Sequence, residues 1–126
     1  MQLFVKHFDE LTTKELYAIL RLREAVFIVE QDCPFPEIDG KDTDAYHLWF
    51  EEDGEILAYA RVLDRGVSFE TPAVGRVISM RRRAGLGSRI LEEGIRIARW
   101  KFAADAVTLE AQKICGCETC RTASDN

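Results

Sequence analysis

The chain has 126 residues, 47% of them hydrophobic, and a formal net charge of −5. That length holds one compact domain and excludes two, and the apolar fraction is enough for a real core and excludes disorder as the global state. An acidic balance speaks against nucleic acid as the main partner, because such binding neutralises phosphates with Lys and Arg.

No segment reaches the ~18 to 20 apolar residues needed to span a bilayer, and the start, MQLFVKHFDELTTKE, lacks the unbroken apolar run of a signal peptide. The expectation is a soluble, cytoplasmic protein with no membrane partner. Of the four cysteines, Cys33 stands alone while Cys115, Cys117 and Cys120 crowd the end. That is too uneven for a secreted disulfide framework.

In chain order, QLFVKHF (2–8) alternates apolar and polar residues and predicts a first strand. A helix follows, with Thr12 and Glu15 spaced as a capping box and Leu16, Leu20, Ala25, Val26 and Phe27 close to a 3.6-residue period. The prolines of QDCPFPEIDGKD and its Gly40 mark a loop. YHLWFEEDGEILAYARVLDRG is a hairpin around Asp53-Gly54, and residues 66–72 connect it to a strand at AVGRVISM (73–80). A helix is predicted from about Ser88 to Phe102, with Leu91, Ile95, Ala98 and Phe102 on one face and Gly94 allowing close approach to a sheet. DAVTLEAQ (105–112) is the last strand. The order is strand, helix, three strands, helix, strand: an α/β mixture ending in a βαβ unit.

Between the 73–80 strand and the second helix lies RRRAGLGSR (81–89). The first N–H groups of a helix lack internal partners and carry partial positive charge. Gly85 and Gly87 let backbone approach an anion, and Arg82 and Arg83 can add charge-assisted hydrogen bonds to phosphate oxygens. The spacing is neither a Walker A loop nor a dinucleotide fingerprint. The alternative is a solvated basic turn.

Arg82-Arg83-Ala84-Gly85-Leu86-Gly87 resembles the [RQ]-x-x-G-x-[GA] acyl-CoA signature of the GNAT N-acetyltransferases, which follows a strand and opens a helix. REAVFIVEQDCP (23–34) is similar to the R-x-x-V-F-x-x-E-Q-x-C-P stretch of the ElaA-like branch, and DGKDTDAYHL (39–48) to its D-G-x-D…A-x-H-L. The resemblance covers about residues 8 to 112. It implies a mixed sheet flanked by helices, with the fourth strand (Val74–Met80) and fifth strand (Ala106–Gln112) splayed around acetyl-CoA. It implies that backbone at Val77, Ile78 and Ser79 pairs with the pantetheine arm. Arg82, Arg83, Gly85, Leu86, Gly87 and Ser88 would then surround the pyrophosphate. The implied activity is acetyl transfer to a small amine by direct attack, with acetyl-CoA as co-substrate and no metal.

Such a reaction needs a deprotonated amine, a stabilised oxyanion and a proton for the leaving thiolate. His47 and Glu110 are the candidates for proton transfer; set against them are a histidine bonded to backbone at a strand start and an exposed strand carboxylate, the commoner situations. Glu30, Asp39 and Asp42 fall where the family's acceptor amine approaches; loop carboxylates are otherwise simply solvated. Arg23 is expected to tether a carboxylate. Cys33 is read as a small packed side chain, and Trp49 and Tyr59 as core or cleft wall.

After Gln112 the resemblance stops. Residues 1–112 make up the GNAT-like domain and 113–126 a Cys-rich tail foreign to it, without the family's usual last helix and two strands. A frameshift or premature stop is the leading explanation of this ending. Cys115, Cys117 and Cys120 alone fall short of a four-ligand zinc site. The expected consequence is an open fifth-strand edge, covered by a homodimer. The alternative function is a catalytically impaired remnant that still binds acetyl-CoA or CoA.

Overall fold

The chain forms β1 (Gln2–His7), α1 (Thr13–Glu24), β2 (Tyr46–Glu52), β3 (Glu55–Leu63), β4 (Ala73–Ser79), α2 (Leu86–Phe102), β5 (Val107–Glu110) and β6 (Thr122–Asp125). This is a computed structural model, and it describes residues 1–26, 39–80, 85–110 and 122–125. The strands form a single sheet in the order β1-β2-β3-β4-β5-β6. Neighbours are antiparallel except β4 and β5, which run parallel because α2 carries the chain back between them.

Local chemistry accounts for the element ends. The Thr12 hydroxyl accepts from the Glu15 N–H at 3.1 Å, and the Glu15 carboxylate accepts from the Thr12 N–H at 2.9 Å, so the predicted capping box starts α1. Glu15 also receives Lys6 Nζ at 2.8 Å, which fastens the helix to β1. Asp53 and Gly54 take φ of 53° and 77°, the paired left-handed geometry that a two-residue hairpin turn requires.

Both faces of the sheet are covered. Leu48, Ala60, Val62 and Val74 pack beneath Leu86, Ile90, Ile97 and Ala98 of α2. A Cβ on Gly94 would lie 2.9 Å from a Val74 methyl, so the close helix–sheet approach expected at this glycine is real. On the opposite face Trp49, Tyr59 and Ile78 pack against Ile19 of α1, and Phe4 stacks on Trp49 at 5.3 Å.

Three details differ from the sequence reading. α2 starts at Leu86, because Gly85 at φ 83° forms its N-cap and Arg89 N–H already donates to the Gly85 carbonyl. Its buried stripe is Leu86, Ile90, Gly94, Ile97 and Ala98, while Leu91, Ile95 and Phe102 flank it half-buried. In α1 the fully buried positions are Ile19 and Arg23, and Ala25 is exposed; a buried arginine blurs the apolar period that would locate the inner face. The expectation of an open fifth-strand edge is also corrected. Thr122–Asp125 pairs antiparallel with Val107–Glu110, so the tail itself supplies a strand there. The edge reserved for a second copy is occupied from within.

Candidate functional site

β4 is irregular in its pairing with β3. Tyr59 pairs with Ile78 and Arg61 with Gly75, so two steps along β3 oppose three along β4. The extra residue is a β-bulge, and Arg76 within it takes φ 53°. The bulge resets which side chains face which layer: Val74 and Val77 both pack toward α2, three residues apart, while Ile78 faces α1. Among the described residues, β4 pairs with β5 only at Ala73↔Thr108 and Val74↔Leu109. β5 is described only as far as Glu110, directly after that last pair, and Val77, Ile78 and Ser79 lie further along β4.

At the far end of β4 the first turn of α2 closes over the strand. A Cβ on Gly87 would stand 3.3 Å from Ser79 Cβ, so helix backbone and strand end meet with no room to spare. Gly85, Leu86, Gly87 and Ser88 thus form the helix N-terminus beside the end of β4. Arg82 and Arg83 lie outside the described residues, as do Glu30, Cys33, the tail cysteines and the side chain of Glu110.

Next to the bulge, on the α1 side, is a buried ionic network. Arg23 donates to Asp42 Oδ1 at 2.7 Å, and Arg61 reaches the same oxygen at 3.0 Å. Arg61 also grips both oxygens of Asp39 at 3.0 Å, and Arg76 meets Asp39 Oδ2 at 3.3 Å. Arg23 thus tethers a carboxylate, as its motif position suggested. His47 is fully buried beside this network: its Nε2–H donates to the Asp42 carbonyl at 3.1 Å, and its Nδ1 accepts from the Tyr59 hydroxyl at 2.6 Å.

No family model matches the chain. An acyl-CoA N-acyltransferase from Pseudomonas aeruginosa superposes with a TM-score of 0.81 at 41% identity, over 88% of this chain and 77% of that one. Escherichia coli ElaA superposes at 0.80 with 34% identity, over 87% of this chain and 77% of its own. A UPF0039 protein of Schizosaccharomyces pombe is 33% identical over 106 residues, 82% of this chain and 69% of that protein. The chain belongs to the ElaA-like branch of the GNAT superfamily. In sequence alone it matches E. coli ElaA at 46% identity over 74 residues, 57% of this chain and 48% of that protein, so it spans about half the length of this curated relative.

Within this GNAT fold the sequence-derived residues separate into two groups. Val77, Ile78, Ser79 and Gly85 to Ser88 gather at one end of β4, where Gly87 meets Ser79. Asp39 and Asp42, expected near an acceptor amine, are turned inward onto arginines, and His47 has both ring nitrogens engaged. This arrangement favours the structural alternative for His47. Arg61 and Arg76 carried no motif; the signal available for Arg76 was a glycine next to it inside a strand, which marks a bulge. Among the described residues, no helix is long and apolar enough to cross a membrane.

The network makes stability depend on pH. Burial lowers His47, outweighing the pull of the Asp42 carbonyl and carboxylate. The unfolded chain therefore takes up this proton near 6.5 while the folded chain does not, and stability falls as pH drops below that value. Burial works to raise Asp39, but Arg61 and Arg76 overcome it and hold the carboxyl at about 2. Burial likewise opposes, and Arg23 and Arg61 outweigh it, in holding Asp42 below its ordinary value. The stability carried by these carboxylates is present above about pH 4 and lost as pH falls toward 2. Urea midpoints measured from pH 8 to 3 are expected to fall in two steps, and His47→Gln should flatten the upper one. An unchanged upper step in that variant would assign it to another group.

Proposed function

We propose that the chain is an acetyl-CoA-dependent N-acetyltransferase domain acting on a small amine. The observation that carries this reading is the bulged β4 leading to Ser79, where the glycine-lined start of α2 closes on the strand end. The acyl arm would lie along Val77, Ile78 and Ser79, whose strand backbone can pair with the amides of pantetheine. The pyrophosphate would sit at Gly85, Leu86, Gly87 and Ser88, where free helix N–H groups and the helix dipole favour an anion, with Arg82 and Arg83 adding charge. The amine nitrogen attacks the thioester carbonyl; the C–S bond breaks as the amide forms, and the proton lost by the amine balances the one gained by the thiolate.

Calorimetry on the full chain tests the binding step. Acetyl-CoA and CoA are expected to bind, inorganic phosphate to bind far more weakly, and Arg83→Ala to weaken both nucleotides by about ten-fold or more, the scale of a lost charge-assisted bond. No heat with CoA at millimolar concentration would remove the reading.

A second reading, a CoA-binding module without turnover, is favoured by one observation: the described candidates for proton transfer and amine capture are internally paired. Glu30 and Glu110 remain the proposed acidic groups for these roles. An acetyl-transfer assay over a panel of primary amines separates the two readings. Transfer above the uncatalysed rate that falls in Glu110→Gln supports the enzyme; binding without transfer to any acceptor supports the module. The cytoplasmic location, expected from the lack of a signal-like or membrane-spanning segment, stands as a proposal. The homodimer was expected to cover an open β5 edge, which β6 fills. A homodimer would need another surface, and sedimentation at micromolar concentration reads it directly.

A further inference from the structure

The β4 bulge is fastened from the α1 side of the sheet. We propose that Asp39 and Arg76 are positioning residues for the acyl cleft: the Asp39 carboxylate, fixed by Arg61, holds Arg76 in the left-handed conformation that forms the β4 bulge. This rests on the reading that β4 beyond the bulge receives the acyl arm.

Arg76 has φ 53°. A side-chain-bearing residue persists there only where its surroundings over-determine it. The chain has a glycine at the adjacent position, Gly75, yet Gly75 is not the left-handed residue. The residue that is carries the side chain reaching Asp39.

Asp39 is a rigid anchor. Its Oδ1 accepts from Arg61 at 3.0 Å and from the Lys41 N–H at 3.0 Å, and its Oδ2 accepts from Arg61 at 3.0 Å and Arg76 at 3.3 Å. Arg61 is 1% exposed and is itself bonded to Asp42. The carboxylate therefore cannot follow Arg76 if the bulge relaxes; Arg76 must stay with it. The bulge lies where the β3 register skips, immediately after the last described β4–β5 pair at Val74↔Leu109. The tether acts just past that pair, at the bulge itself.

Two variants separate backbone geometry from charge. Arg76→Ala removes the tether and keeps a Cβ that resists positive φ. Arg76→Gly removes the tether and adopts positive φ freely. If the tether works through the bulge, the glycine variant rescues what the alanine variant loses. Acetyl-CoA is expected to bind Arg76→Ala at least about five-fold more weakly than the parent chain, and Arg76→Gly within about two-fold of it. A purely structural role would order them the other way, since glycine weakens a strand more than alanine does. Where the parent chain binds acetyl-CoA, equal affinities for the two variants would overturn the proposal.

A ligand-free readout keeps this test apart from the cofactor reading. The intraresidue HN–Hα NOE at position 76 reports the sign of φ. It should be strong in the parent chain and lost in Arg76→Ala and in Asp39→Asn. Retention of the left-handed signature in Arg76→Ala overturns the tether whether or not acetyl-CoA binds. Loss of the signature in a chain that never bound acetyl-CoA would uphold the tether and remove the cofactor reading instead. Should Asp39→Asn fail to fold, Arg76→Ala, which leaves Arg61 paired, carries the measurement alone.

Discussion

Asp42→Ala is expected to destabilise the chain by about 3 to 5 kcal/mol, the range for removing one partner of a buried ion pair. The Asp42 side chain is almost wholly buried, and its Oδ1 serves Arg23 and Arg61, which are 0% and 1% exposed. Removal would leave two guanidinium groups facing each other in a low-dielectric interior with Asp39 as the only described carboxylate between them. Arg61 Nε is already buried without a partner among the described residues, so the site has little slack to repair the loss. The midpoint of thermal unfolding should drop by roughly 10 to 20 °C for a chain of this size. A drop corresponding to less than about 1 kcal/mol, as for an exposed pair, would show that the network is solvated in solution.

Gly87→Val is expected to weaken acetyl-CoA binding by about ten-fold or more while lowering stability modestly. The position already lacks space: a bare Cβ would stand 3.3 Å from Ser79 Cβ and 3.7 Å from its hydroxyl. The two further carbons of valine must either push the first turn of α2 off β4 or project to where an anion would meet the helix N–H groups. Gly85→Val is a different experiment, because φ 83° there strains any side chain regardless of room. Isothermal titration of both variants, with circular dichroism to confirm that α2 persists, makes the comparison. Unchanged affinity in Gly87→Val would place the ligand away from this helix start.

What could be read from the sequence was local or repeated. The Thr12–Glu15 box, the Asp53-Gly54 turn and the small residue at Gly94 each specify structure through neighbours within a few positions. The loop from Arg82 to Gly87 was recognisable because its elements must follow a strand and open a helix. The ionic network was not, since its bonds join residues 19 to 37 positions apart: Arg23 with Asp42, Arg61 with Asp39, Arg76 with Asp39. Asp39 and Asp42 read as acceptor-side carboxylates, or else as solvated loop charges, until β3 and β4 bring arginines beneath them. The bulge has the same character, since a skip in pairing exists only between two strands. The tail was misread for a related reason. TASD has no apolar alternation of its own, and only pairing with β5 makes it a strand.

The claim on which the rest depends is that acetyl-CoA lies between β4 and β5 with its pyrophosphate at the start of α2. Backbone amide shifts of the ¹⁵N-labelled full chain, followed during acetyl-CoA titration, test this most directly. Perturbations are predicted to concentrate at Val77, Ile78 and Ser79 and at Gly85, Leu86, Gly87 and Ser88. On the α1 side a groove of about 770 Å³ is bordered by Tyr17, Arg21, Ile56 and Met80. Perturbations confined to that groove, with β4 and the α2 start unmoved, would contradict the account.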